Sequence, residues 1–384
     1  MVVADIVLLD DQLFSNKKQG LEAGEQDMLD EVDPSVLGFS EERLGRITRW
    51  LELQVGEGKL AGASTLVARR GKIAYLQCAG FADKEQGKVF APDTIVRIYS
   101  MTKPITTVAA MMLYEEGCFQ LDDPVAKYLP EFEATPVWSG GDAPISDVMT
   151  QRTPMLVKHL MNHTSGLTYG FMNSNPVDAQ YREEAIEFQS RSESLADITS
   201  RLASIPLLCQ PGSQWNYSVA TDVLGRLVEV LSGMSLADFL QQRIFAPLKM
   251  VDTGFSVPEQ TQHRFASLYA PKVGGDMSSV GGAATRLPQD ERGGLVLQEG
   301  SAQSVYFEAP GSHSGGGGLV GTIGDYARFC QMLINEGELD GERILAPSTL
   351  RYMRTNQLPD NSDMAGMGQP VWSETSYDGI GFGL

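Results

Sequence analysis

Histidine and cysteine are both scarce in this 384-residue chain, and their placement excludes several chemistries at once. The four histidines, His159, His163, His263 and His313, include no H-E-x-x-H pair, so the sequence clusters no ligands for a zinc site. The four cysteines, Cys78, Cys118, Cys209 and Cys330, lie far apart with no C-x-x-C pair. They read as free thiols buried in a reducing compartment, not as a disulfide framework. Positive charge is in deficit: 30 Lys and Arg against 49 Asp and Glu leave a formal net charge of -19. Such a surface repels phosphate backbones and anionic membranes, which excludes nucleic acid as an expected partner. No run approaches the roughly 18 apolar residues of a membrane span. The opening MVVADIVLLDDQLFSNKKQG has an early Asp5, no basic n-region and no long apolar core, so it does not read as a signal peptide. The expected location is the cytoplasm. The pentapeptide G-x-S-x-G is absent, which argues against an α/β-hydrolase. Walker A is absent too, which argues against an NTPase.

What is present is enough apolar sequence, 42% of residues, for one large domain or two smaller ones. Residues 1–38 are acidic and only mildly periodic, and are treated as an extension. From Ser40 the pattern sharpens: Ser40 caps a helix carrying Leu44, Ile47, Leu51 and Val55, stopped by Gly56 and Gly58. Strand-like runs Gly62–Arg69 and Lys72–Ala79 flank Arg70-Gly71, a tight hairpin signal, and Thr94–Tyr99 is extended. Beyond Ser100, helical patterns alternate with loops rich in Gly, Pro, Ser and Asp. Helices are expected at Leu195–Ala203, Leu236–Phe245, Asp325–Ile334 and Pro347–Met353. Residues 272–318 are glycine-rich and aperiodic, a loop region expected to line a cleft together with 170–195. Tyr377–Leu384 has the look of the start of a strand.

One short motif carries chemistry in this context. Ser100-Met101-Thr102-Lys103 matches S-x-x-K, and so does Ser15-Asn16-Lys17-Lys18, but Ser15 leads into polar sequence with no helix pattern. Ser100 follows an extended run and opens a helix whose apolar positions Ile105, Val108, Ala109, Met112 and Leu113 share one face. Pro104 is tolerated only in a first turn, which places the helix start near Ser100, and Gly117 is a good stop. Residues i and i+3 share a face, so the Lys103 amine can reach the Ser100 hydroxyl. The helix dipole and an apolar setting both favour the neutral amine, which could then accept the serine proton during attack on a carbonyl. The N–H groups at the helix start can supply half of an oxyanion hole. The plainer reading, Ser100 as an N-cap and Lys103 as a solvated first-turn residue, stays open on the motif alone. A second element is the loop 210–218, QPGSQWNYS, which runs into a helix carrying Ala220, Val223, Leu224, Leu227, Val228 and Leu231, with Ser218 as its cap. A tyrosine at such a point, Tyr217, can be held by the loop and point into a cleft, although ordinary packing explains most single tyrosines.

Taken together these stretches resemble the serine β-lactamase and penicillin-binding-protein superfamily, and within it class C β-lactamase-like proteins and family VIII carboxylesterases. The matching segments are RIYSMTKPITTVAAMMLYEEG, LDDPVAKYLPEF, VKHLMNHTSGLTYG, QPGSQWNYSVATDVLGRLVEVLSG, FAPLKMVDTGF and GGGGLVGTIGDYARFCQML, in order over roughly residues 40 to 384. The resemblance implies Ser100 as nucleophile, Lys103 as base and Tyr217 as the group passing a proton to the leaving group. It implies that His163, in His163-Thr164-Ser165-Gly166-Leu167, is a structural turn residue and not catalytic. It implies an α+β fold of β-lactamase/transpeptidase type: an antiparallel sheet from both chain ends (39–98 plus 324–384) with an inserted mainly helical region (99–323). No metal or cofactor is required, the expected partner is a small-molecule ester, and the oligomeric state is left open.

Two departures qualify the match. The family's Y-x-N asparagine is replaced by Val219, which favours simple esters over β-lactams. No K-T-G or W-G-G motif follows; His313-Ser314-Gly315 lies before the glycine run, where the family has a loop and helix. The simplest expectation is a C-terminally truncated chain, lacking the final strands and helix and one oxyanion donor. The alternatives are a β-lactamase or D-alanyl-D-alanine peptidase, and a non-catalytic binding or assembly protein on the same fold.

Overall fold

Arg70 and Gly71 both take positive φ, 54° and 73°, the geometry of a two-residue turn that lets two strands fold back on each other without splaying. On either side lie β2 (Gly62–Arg69) and β3 (Lys72–Asp83), paired antiparallel with a bulge near Val67 and Ala68. The computed structural model describes residues 3–9, 29–272, 294–363 and 380–383. β1 (Val3–Leu9) lies parallel to β2 in register Val3 to Ala63 through Leu9 to Arg69, and β4 (Lys88–Val89) closes the far edge, giving the order β1-β2-β3-β4.

Two expectations about the chain ends change here. The first 38 residues are not merely an extension: β1 extends the sheet, and a bridge from Glu31 to Ile73 ties the following segment to β3. The apolar run 3–9 is too short to declare itself as a strand until β2 supplies its hydrogen-bond partner. Nor does a described residue after Ile323 add a strand to this sheet; that part of the chain contributes a helix that packs on it. Ile380 to Gly383, anticipated as a strand start, form a turn. The backbone groups here bond to Met353, Met161, Asn356 and Gln357 in place of a ladder. Residues 377–379 and Leu384 lie outside the described residues, as do the Ser15 motif and residues 273–293 of the glycine-rich stretch.

The helices follow the expected periodicity. α1 (Glu41–Gly56) starts at Ser40, whose hydroxyl accepts from the Arg43 N–H, and buries Leu44 and Leu51 against the sheet. Beyond it a short strand, β5 (Val96–Arg97), leads into α2 (Thr102–Glu115). α2 is buried on nearly every side from Thr102 to Leu113, as a helix at the centre of a core must be. α3 (Val157–Met161), α4 (Pro176–Glu183), α5 (Leu195–Ala203), α6 (Ala220–Ser232) and α7 (Leu236–Leu240) form the helical region. α6 and α7 pack on α2 around Ile105, Val108, Met111, Val223, Leu227 and Phe239 in one continuous core. α8 (Ile323–Ile334), capped by Thr322, lies against β1 and β2, and α9 (Pro347–Met353) follows. Val320–Gly321 pairs with β5, so the segment after the glycine run is stitched directly to the strand that delivers Ser100. None of the four cysteines is in a disulfide, and only Cys209 is buried; the other three are half-buried. Among the described residues no helix is long and apolar enough to cross a membrane.

Candidate active site

The strand β5 ends at a single helical turn, Tyr99–Met101, that hands the chain to α2. Tyr99 is held at φ 41°, a region a bulky side chain rarely occupies, and the next residue is Ser100. Ser100 is exposed, whereas Lys103, one turn on, is only 2% exposed. The helix geometry does what the spacing anticipated: Lys103 Nζ lies 3.1 Å from Ser100 Oγ. The same amine donates to the Gly316 carbonyl at 2.6 Å and sits 4.6 Å from the centre of the Tyr217 ring and 5.5 Å from that of Tyr169.

Tyr217 arrives from the far side of the cleft and donates from its hydroxyl to Ser100 Oγ at 2.5 Å. Its loop is pinned at several points. The Asn216 N–H donates to the His163 carbonyl, the Asn216 side chain to the Leu167 carbonyl, and the Gly212 N–H to the Thr164 carbonyl. The ring of Tyr217 packs among Trp215, His163 and Tyr169. Ser100, Lys103 and Tyr217 are therefore brought together, with the serine hydroxyl between a phenol and an amine.

His163 stands behind the site. It is buried at φ 57°, and its Nδ1 lies 3.1 Å from Ser218 Oγ. Burial, and secondarily the charge of Lys103, lower its pKa to about 3, so at neutral pH it is an uncharged packing group. Ser218 accordingly serves His163 and makes only a long contact, 3.4 Å, to the Ala220 N–H; the cap residue of α6 is Val219. Val219 is 3% exposed within the main core, and its N–H bonds to the Thr168 carbonyl. His313 and Ser314 are not on a strand: His313 packs edge-on against Phe255, and Ser314 is turned inward onto Asp222.

Sequence reasoning missed Asp222 and Gly316, which lie behind Lys103, and Ser314 as the residue that bonds to Asp222; it also missed Tyr169, which walls the cleft with Phe171 stacked on it at 4.7 Å. Asp222 occupies a polar position in an otherwise apolar helix stripe. The run Gly315 to Gly318 was the only signal for its partners. A side chain on Gly315 or Gly318 would strike the Thr221 or Ser314 carbonyl, at 2.7 and 2.8 Å. Among the described residues no group of three or more His, Cys, Asp or Glu is disposed to hold a metal ion.

Comparison with known proteins gives the arrangement its context. A family model described as Beta-lactamase matches residues 47–383. Protein Rv1367c of Mycobacterium tuberculosis (strain ATCC 25618 / H37Rv) is 35% identical over 85% of this chain and 74% of its own. Esterase EstB of Burkholderia gladioli is 33% identical over 92% of this chain and 82% of its own. The solved structure of EstCE1, a hydrolase with promiscuous acyltransferase activity, superposes with a TM-score of 0.66 at 29% identity, covering 89% of this chain and 82% of that one. The chain belongs to the Beta-lactamase family, and the proteins it is similar to include one named an esterase and one described as a hydrolase with promiscuous acyltransferase activity.

Proposed function

We propose that this chain is a serine hydrolase that cleaves carboxylic esters through an acyl-enzyme on Ser100. The observation that carries the reading is the flanking of Ser100 Oγ by Lys103 Nζ at 3.1 Å and the Tyr217 hydroxyl at 2.5 Å. A bond forms between Ser100 Oγ and the ester carbonyl carbon while the serine proton passes to the Lys103–Tyr217 pair. The Ser100 N–H, at the start of the helix, is one donor to the developing oxyanion. Collapse breaks the bond to the alcohol oxygen, which leaves with a proton delivered through Tyr217. A water then attacks the acyl carbon, gives its proton to the same pair, and Ser100 is released with its own proton restored.

The burial of Val219 supports simple esters over β-lactams, because that position presents no side-chain amide to the cleft. The name of EstB points the same way. EstCE1 supports a second outcome from the same intermediate, in which an alcohol in place of water accepts the acyl group. The deciding experiment is mass spectrometry after incubation with a fluorophosphonate, alongside turnover of p-nitrophenyl butyrate and nitrocefin. An adduct on the peptide containing Ser100, with the ester turned over much faster than nitrocefin, supports the reading. No adduct points to a non-catalytic member of the fold, and preferential nitrocefin turnover to a β-lactamase. Ester product formed with added alcohol would identify transfer.

A further inference from the structure

A chain of hydrogen bonds runs from a buried carboxylate to the amine beside Ser100. Asp222, on α6, is 2% exposed. Its Oδ1 accepts from the Ser314 hydroxyl at 2.5 Å and from the Gly316 N–H at 2.9 Å. The Ser314 oxygen in turn accepts from the Gly317 N–H at 3.0 Å. The carbonyl of that same peptide unit, Gly316 O, accepts from Lys103 Nζ at 2.6 Å, and Lys103 Nζ donates to Ser100 Oγ at 3.1 Å. Every link is a donor paired with an acceptor, so each polarises the next, most effectively where water is excluded.

From this we infer that Asp222, acting through Ser314 and the 316–317 peptide, is a positioning residue for Lys103. The inference rests on the ester-hydrolase reading of Ser100 and Lys103. The carboxylate fixes the loop 314–317 at two points, Ser314 and the Gly316 N–H. The loop presents one carbonyl to the lysine, and the lysine amine is thereby held beside the nucleophile. Local sterics agree. A Cβ at Gly316 would lie 2.4 Å from Asp222 Oδ2, so the carboxylate and the loop fit only with glycine there. Thr106 adds a further anchor by donating to the Gly315 carbonyl at 2.8 Å. Asp222 does not touch Ser100 in this arrangement; its influence passes through the loop and through its charge. The charged and titratable groups that face Lys103 are Asp222 from α6, Tyr217 from the 210–218 loop, and Tyr169 and His163 from the segment after α3.

The test compares the full-length wild type with Asp222→Asn and Ser314→Ala, using p-nitrophenyl butyrate across pH and a melting curve for each. Asn keeps the shape but removes the charge. Asp222→Asn is expected to lower kcat about tenfold or more with KM within about twofold, as loss of an interaction to a charged group implies. It is also expected to move the acidic limb of the pH–rate profile to lower pH, because the carboxylate behind the loop 314–317 has been replaced by a neutral amide. A residue that only supports packing would not move that limb. Ser314→Ala, which breaks the chain without touching the charge, is expected to lower kcat by roughly three- to tenfold. Folded variants with wild-type kcat and an unmoved limb would overturn the inference. If Asp222→Asn fails to fold, Ser314→Ala decides alone, and wild-type kcat in that variant overturns it. Ser100→Ala separates the two levels: if it retains turnover, the hydrolase reading itself fails; if it is dead while Asp222→Asn is normal, only the positioning role fails.

Discussion

The Tyr217 hydroxyl and Ser100 Oγ lie 2.5 Å apart although 117 residues separate them in sequence. A contact of that length places the phenol where a proton can move between it and the serine or its leaving group. Tyr217→Phe keeps the ring packing among Trp215, His163 and Tyr169 and removes only the hydroxyl. It is expected to lower kcat by roughly 10²- to 10⁴-fold with little change in KM, the signature of a group that acts in the transition state. Ser100→Ala is expected to abolish turnover with an unchanged melting temperature. Lys103→Ala at near-normal rate would refute the base assignment.

His163 and His159 give the protein a defined acid weakness. Burial lowers the pKa of His163 to about 3 and that of His159 to about 4, from an ordinary 6.5. The unfolded chain therefore binds protons that the folded chain refuses. The stability these neutral histidines carry is complete above about pH 6.5 and is lost as pH falls toward 4 and then 3. Denaturant midpoints measured from pH 7 to pH 4 should fall accordingly, and His163→Gln should flatten that slope while lowering stability at pH 7 through lost packing. An equally steep slope in the variant would show that other groups, not His163, govern the acid limb.

Gly166 marks a point where backbone geometry, not side-chain chemistry, supports the site. Its φ is 85°, and a Cβ there would lie 2.4 Å from the Cys209 carbonyl. The Gly166 carbonyl accepts from Leu208, and the neighbouring Thr164 carbonyl accepts from Gly212, so this turn holds the loop that carries Tyr217. Gly166→Ala forces both a disfavoured φ and a clash with backbone, and should cost more than about 1 kcal/mol. Activity should fall with stability, read as a lower denaturant midpoint together with a lower kcat; a fully stable, fully active Gly166→Ala would contradict this account of the turn.

The parts of the site readable in sequence are those set by local geometry. The i, i+3 spacing of Ser100 and Lys103, with Pro104 confined to a first turn, required only the rules of a helix start. The hairpin at Arg70-Gly71 and the helices Glu41–Gly56 and Leu195–Ala203 were legible for the same reason. Tyr217 needed the family resemblance, because nothing local distinguishes a catalytic tyrosine from a packed one. Asp222 was not legible: its partners lie 92 and 94 positions away, and within α6 it reads as one polar residue on a buried stripe. The strand at Val3–Leu9 and the turn at Ile380–Gly383 were misjudged for a related reason. A strand is defined by its neighbour, and neither neighbour is written in the segment itself.

Asp178 carries the last expectation, because it anchors the aromatic side of the cleft. It is fully buried, and its carboxylate accepts from Thr168 Oγ1 at 2.7 Å, from the Ser174 N–H and hydroxyl at 3.0 and 2.9 Å, and from the Asn175 amide at 2.9 Å. Those donors span residues 168–175, the segment that presents Tyr169 and Phe171. Asp178→Ala removes the shared acceptor, strands the buried Thr168 hydroxyl and leaves the Ser174 and Asn175 donors to solvent, a loss of about 1–3 kcal/mol by the usual cost of an unsatisfied buried polar group. With the segment loosened, substrate should be held less well, so KM should rise more than kcat falls, provided the variant is assayed below its melting transition. Asp178→Asn retains one acceptor oxygen of similar shape and should recover part of both. A variant with lowered melting temperature and unchanged KM would show that the 168–175 segment supports the fold without shaping the substrate-facing wall.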